Sequence, residues 1–161
     1  MSCSGEVVEK EPELIQIRSS IVKQLKKAKY GVADHSTVGL CHWTKKSFRG
    51  EGTCYKHKFY GISTHSCMEF SPAGMYCENR CVYCWRPMEF YDSMEMQPQN
   101  VAEPEDIMTK LMAERKKLIM GHYGDPNQDK KKLDESLLPN HYAISLSGEP
   151  TMYPKLPELI K

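Results

Sequence analysis

Cys77, Cys81 and Cys84 stand within eight positions, inside the stretch SPAGMYCENRCVYCWRP from Ser71 to Pro87, with the spacing C-x3-C-x2-C. Thiols that close together are too compact for strand pairing. On one loop they turn their sulfurs inward, where thiolates hold an iron–sulfur cluster through three of its irons and leave one iron without a protein ligand. The competing reading is a structural zinc turn, which needs a fourth Cys or His; the nearest downstream candidate, His122, lies far along the chain.

With Tyr83 just before the last cysteine, C-x3-C-x-aromatic-C resembles the signature loop of the radical S-adenosyl-L-methionine enzymes. The resemblance implies a [4Fe-4S] cluster whose open iron is chelated by S-adenosyl-L-methionine, one-electron reduction to a deoxyadenosyl radical, and an aromatic ring at Tyr83 packed near the adenine.

At 161 residues the chain is long enough for one domain with a core, and its net charge of +1 gives no global nucleic-acid signature, so any basic surface is local. The start, MSCSGEVVEKEPEL, has no apolar signal region and no stretch has the length to span a bilayer, so the reading expects no membrane and a cytoplasmic protein. Seven cysteines without a secretion signal argue for metal ligation or redox chemistry over disulfides. Cys3 reads as an incidental thiol.

Along the chain, Pro12 suits a first helical position, and Leu14, Ile17, Ile21, Leu25 and Ala28 form the stripe of an amphipathic helix ended by Gly31. Cys41, Cys54 and Cys67 then follow with twelve residues between neighbours, a step that no local zinc or iron motif uses. From Cys41 to Tyr60 five Lys or Arg face one acid, Glu51, and Trp43, Phe48, Tyr55, Phe59 and Tyr60 are interleaved with them. Basic side chains suit tRNA phosphates and exposed aromatics suit an unpaired base, although solvated lysines and core aromatics give the same pattern.

A C-x12-C-x12-C array upstream of such a loop is similar to that of the tRNA 4-demethylwyosine synthases, and the likeness continues through FYGISTHSC and CVYCWRP to the last twenty residues. It implies that Cys41, Cys54 and Cys67 hold a second [4Fe-4S] cluster and that Lys56 forms a Schiff base with pyruvate. It further implies N1-methylguanosine of tRNA-Phe as substrate; a radical enzyme of other RNA-modifying specificity and a non-catalytic zinc-binding RNA module are the competing readings. On the leading reading the two thiol triads are expected to meet over one cavity near Lys56. A lysine attacks a keto group only when its amine is neutral, a state that neighbouring cations or desolvation favour. His42, His57 and His65 fit contacts around the centre or to phosphate better than ligation. No flavodoxin-like phosphate loop precedes the cysteines, so electrons are expected from a separate flavodoxin- or ferredoxin-type donor.

Downstream, Glu105 to Met120 predicts a helix with Ile107, Met108, Leu111, Met112, Leu118 and Ile119 to one side, and GHYGDPNQDKKKLDESLLP a loop and short helix. HYAISLS, His141 to Ser147, alternates as a strand. The segment Ser147, Gly148, Glu149, Pro150 that follows resembles the S-G-E-P-T form of the family's second signature, which implies a grip on the amino group of S-adenosyl-L-methionine; alone, it marks only a turn. The fold expected is α/β: residues 1–70 as a helical, cysteine-rich extension and 71–161 as the first part of a partial (βα)6 barrel, a fragment lacking its later βα units.

Overall fold

In the computed structural model, residues 19–84 and 96–161 are described; Cys3, Pro12, Leu14, Ile17 and Pro87 lie outside them. A four-stranded sheet runs in the order β1 (Gly31–Ala33), β2 (Ser36–Gly39), β3 (Cys67–Ser71), β4 (His141–Ile144). The first two neighbours are antiparallel and β3 pairs with β4 in parallel. The sheet therefore continues across the boundary expected near residue 70, and one βαβ crossover joins β3 to β4.

Helix α1 (Ser19–Lys27) carries Leu25 against the core. Gly31 does not end that helix; it opens β1, where a side chain would meet Glu114 Cβ at 2.6 Å. The β1–β2 turn places Asp34 at φ 50°, which a short polar residue tolerates, and Lys110 fastens it to α4 (Pro104–Met120) at 2.8 Å. Pro104 in the first turn and Glu105 and Asp106 beside it suit the start of α4. Ile107 and Leu111 of α4 pack with Val38, Met68 and Phe70, whereas Ile119 joins Leu40, Phe48 and Leu133 of α5 (Lys130–Ser136). Burying each such side chain stabilises the fold by about 1.5–3 kcal/mol. The last helix, α6 (Leu156–Ile160), packs Leu156 and Leu159 on the larger cluster.

The predicted strand from His141 to Ser147 is shorter than expected, because Leu146 turns to φ 92° after β4. The helix predicted from Glu105 to Met120 holds.

Past β3, the loop 72–76 is tethered by His35. Ala102 N–H donates to His35 Nε2 at 3.1 Å, so Nδ1 carries the hydrogen and donates to Pro72 O at 2.6 Å, an acceptor it shares with Ser36 Oγ at 2.9 Å. Burial, partly offset by the bond to Pro72, lowers the His35 pKa from 6.5. The fold thus holds this ring neutral while the unfolded chain takes up a proton near the ordinary value. Its contribution is complete above about pH 6.5 and declines as pH falls from there toward the lowered folded value. Denaturant titrations across this range should show stability falling with acidification, and His35→Gln should flatten the fall.

Candidate metal centre

The upstream cysteines each mark the boundary of a short element. Cys41 caps α2 (His42–Phe48), its Sγ accepting the Thr44 backbone N–H at 3.3 Å. Cys54 precedes α3 (Tyr55–Tyr60), and Cys67 follows a 3-10 turn, Thr64–Ser66, to open β3. The wide spacing has its reason here: each interval holds one short helix and the loop that returns the chain.

Cys67 lies close enough to feel the charges of Cys41 and Cys54, and the half-buried Lys56, in the first turn of α3, acts on both Cys67 and Cys54. Burial pushes the Cys67 thiol up, assisted by Cys41, Cys54 and Glu69 and opposed by the Lys56 ammonium. Burial also pushes Cys54 up, but the Thr64 hydroxyl, the backbone N–H groups of His57 and Lys56 and the Lys56 charge outweigh it, and the net direction is down.

The downstream thiols form a second group. Cys77 Sγ donates to Asn79 O at 3.4 Å, and Cys84 N–H donates to Cys81 O at 2.9 Å. Burial and the charges of Glu149, Cys81 and Cys84 raise the Cys77 thiol, although the Asn79 backbone opposes them. Tyr83 is 83% exposed with its hydroxyl beside Cys81.

The segment from Ser147 to Pro150 is built into this loop. Ser147 Oγ meets Thr37 Oγ1 at 2.9 Å, Glu149 N–H donates to Tyr76 O at 2.7 Å, and Asn79 Nδ2 donates to Glu149 Oε2 at 3.1 Å. The Thr151 hydroxyl, its backbone N–H and Asn79 hold the Glu149 carboxyl below the usual range, against some burial. Pro150 starts a 3-10 turn, Pro150–Met152. Gly148, at φ 69°, is needed for approach to the chain's own backbone: a Cβ there would lie 1.9 Å from Ala73 O.

The two triads lie at opposite ends of β3, since Cys67 is its first residue while the loop to Cys77 packs on Thr37 and Gly148 beyond Ser71; the expectation that they meet over one cavity is not met among the described residues. Among the described residues, no group of three or more His, Cys, Asp or Glu is gathered closely enough to hold one metal ion. Zinc requires all its donors within about 2.3 Å of a single centre, a closer gathering than this. A [4Fe-4S] cube takes each thiolate on a separate iron and tolerates a wider set. The six free, partly buried thiols, grouped in threes, fit that donor chemistry.

The histidines are engaged elsewhere: His57 with Ile62 O at 3.0 Å, His65 with Glu135 at 2.7 Å, His122 against the Phe48 ring, and His42 against Trp43. Sequence reasoning missed Thr44, Thr64 and Asn79. Only Asn79 had a signal, its position inside the cysteine loop. Around Lys56 the surface is apolar and basic: α3 buries no residue, Tyr55, Phe59 and Tyr60 are exposed, and Lys46 lies 5.4 Å above the Trp43 ring.

No protein-family model matches the chain. It is 45% identical over 130 residues to an S-adenosyl-L-methionine-dependent tRNA 4-demethylwyosine synthase of Pyrococcus abyssi, covering 81% of this chain and 38% of that one. The enzyme of the same name from Methanocaldococcus jannaschii is 42% identical over 149 residues, 90% of this chain and 48% of that one. Two solved structures are similar. One, of TYW1 with a lysine–pyruvate adduct bound, has a TM-score of 0.77 and 41% identity over 88% of this chain and 46% of that chain. The other, of archaeal TYW1, has a TM-score of 0.69 and 38% identity over 88% and 47%. The chain thus spans less than half the length of each.

Replacing Gly148 with Ala should destabilise the protein by about 2 kcal/mol or more, because the position combines a left-handed backbone with a carbonyl in the way of any Cβ. Equilibrium unfolding reads the change; a Gly148→Ala protein as stable as the parent contradicts the packing described.

Proposed function

Since the chain is related to the tRNA 4-demethylwyosine synthases along 81% or more of its own length, we propose that it supplies both thiol triads and the reactive amine for forming 4-demethylwyosine from N1-methylguanosine in tRNA-Phe and pyruvate. The observation that carries this reading is the place of Lys56, whose ammonium acts on Cys54 and Cys67. A similar structure carries a lysine–pyruvate adduct. In its neutral form the Lys56 amine adds to the keto carbon of pyruvate and water leaves, giving a Schiff base. A cavity of about 410 Å³ is bordered by Cys41, His42, Lys29, Lys45 and Glu69, and its cations suit a small carboxylate next to Cys41; Lys56, Cys54 and Cys67 do not line it.

Cys41, Cys54 and Cys67 would hold one [4Fe-4S] cluster, and Cys77, Cys81 and Cys84 the other. The downstream cluster with S-adenosyl-L-methionine, fed by an external flavodoxin- or ferredoxin-type donor, would supply the one-electron chemistry that makes a substrate radical. The Glu149 carboxylate, fixed by Thr151 and Asn79, can accept from the ammonium group of S-adenosyl-L-methionine. Ser147 and Gly148 set its position, Pro150 starts the turn that holds Thr151, and exposed Tyr83 is free to cover the adenine. In this reading β3, α4, α5 and β4 form the opening unit of a partial (βα)6 barrel, with the downstream thiols and the Ser147–Pro150 segment beyond the carboxyl ends of the parallel strands and the upstream triad at the amino end of β3. A cytoplasmic location goes with a tRNA substrate, and no helix among the described residues is long and apolar enough to cross a membrane.

Lys56→Ala should abolish product while iron, sulfide and the thiolate-to-iron absorption stay at parental levels; full turnover in that variant removes the Schiff-base role.

The exposed aromatics of α3 and the lysines around them form the tRNA contact in this reading, with rings stacking on unpaired bases and ammonium groups on phosphates. Phe59→Ala and Tyr60→Ala should each weaken tRNA binding by about 1–3 kcal/mol without loss of iron, as measured by anaerobic titration at fixed salt. Unchanged affinity in both assigns these rings another partner.

A further inference from the structure

Thr64 is 1% exposed and touches the setting of all three upstream cysteines. Its Oγ1 accepts the Cys54 backbone N–H at 3.3 Å and lies 3.6 Å from Cys54 Sγ. Its carbonyl accepts the Cys67 N–H and also the Thr44 hydroxyl, the latter at 3.2 Å. Thr44 is equally buried, and its Oγ1 lies 3.2 Å from Cys41 Sγ. One chain of polar contacts therefore runs from Cys41 through Thr44 and Thr64 to Cys54, with Cys67 joined at the Thr64 carbonyl.

We propose that Thr64, acting with Thr44, is the positioning residue that sets Cys41, Cys54 and Cys67 as a single iron-binding group. The inference rests on the reading of these cysteines as cluster ligands. Hydrogen counting gives Thr64 a definite role. Each hydroxyl has one hydrogen and two lone pairs. The Thr44 hydrogen is committed to the Thr64 carbonyl, so Thr44 Oγ1 can only accept from the Cys41 thiol; once Cys41 has lost its hydrogen to become a metal ligand, the Thr44 backbone N–H at 3.3 Å remains as its donor. Thr64 Oγ1 already accepts from Cys54 N–H, which leaves its own hydrogen for the Cys54 sulfur. Buried hydroxyls have no water to turn to, so these bonds hold the three loops in register before any iron arrives. Donors to ligand sulfur also raise the reduction potential of a cluster and steady its ligands.

The test uses two backgrounds of the full chain, each reconstituted anaerobically with ferrous iron and sulfide. Cys77→Ala, Cys81→Ala and Cys84→Ala together leave only the upstream triad; Cys41→Ala, Cys54→Ala and Cys67→Ala leave only the downstream one. Thr64→Val keeps the side-chain shape and removes the hydroxyl, while Thr64→Ser restores it. In the upstream-only background, Thr64→Val should lose iron to a chelator about tenfold faster than its parent and show a more negative midpoint potential. Thr64→Ser should match the parent in both. In the downstream-only background Thr64→Val should change neither, which separates positioning from general damage to the fold. Equal acceleration in both backgrounds, no acceleration in either, or failure of Thr64→Ser to restore the parent behaviour overturns the proposal. A Thr64-containing parent that takes up no iron on the upstream triad removes the ligand reading itself, and the proposal with it.

Discussion

Strand β3 is the constraint on which both thiol groups depend. It bonds to β2 on one side and β4 on the other, and its Met68 and Phe70 point into the core with almost no exposure. Because strand side chains alternate, a slip of one residue would send Met68 outward and Cys67 inward, an exchange that the apolar core forbids. The register fixed by Met68 and Phe70 thereby fixes Cys67 at one end and the departure of the cysteine loop at the other. Hydrophobic burial sets where the sulfurs stand.

At the carboxyl end of β3 two distant segments are one structural unit. The loop 72–76 offers carbonyls at Pro72, Ala73 and Tyr76, and partners from two other parts of the chain meet it: His35 and Ser36 at Pro72, and Gly148 against Ala73 with Glu149 N–H at Tyr76. Buried carbonyls left unmatched are costly, so this loop and the Ser147–Pro150 segment must form together. Asn79 then links Glu149 to the cysteine loop itself. The carboxylate and the three thiols are arranged by the protein's own hydrogen bonds.

How much of this was legible in the sequence follows from what each signal depends on. The six thiols were visible because spacing is a property of the chain, and α4 was visible because Ile107, Leu111 and Ile119 recur at helical intervals. The β1–β2 hairpin was hidden: its strands are three and four residues long, too short for alternation to register, and Gly31 looks like a helix stop. Gly148 was legible only as part of the second signature or a turn, and its close approach to Ala73 was not. Thr44 and Thr64 carried no signal, because a hydroxyl that pairs across twenty residues is indistinguishable, in sequence, from one in water. The apolar and basic character of α3 was legible, and the exposure of its rings was not, since an aromatic residue is as much at home in a core.

Arg115 shows the same limit from the side of charge. It occupies the buried stripe of α4 four residues from Leu111 and four from Ile119, between the two apolar clusters, where the periodicity called for a hydrophobe. It is 1% exposed, and the partners given to its guanidinium are the carbonyls of Ser136, His65 and Cys67, the last at 3.2 Å. Burial brings its pKa down to about 10, so it stays a cation at neutral pH, and the charges that favour that cation are those of Cys67 and Tyr142. A buried guanidinium without a carboxylate costs several kcal/mol, of which carbonyl dipoles recover only part. Attraction between two charges is mutual: whatever an ionised Cys67 contributes to keeping Arg115 charged, Arg115 contributes to keeping Cys67 ionised. The arginine thus joins α4 and α5 to the first residue of β3, and burial rather than this attraction still sets the net direction of the Cys67 thiol, which is up.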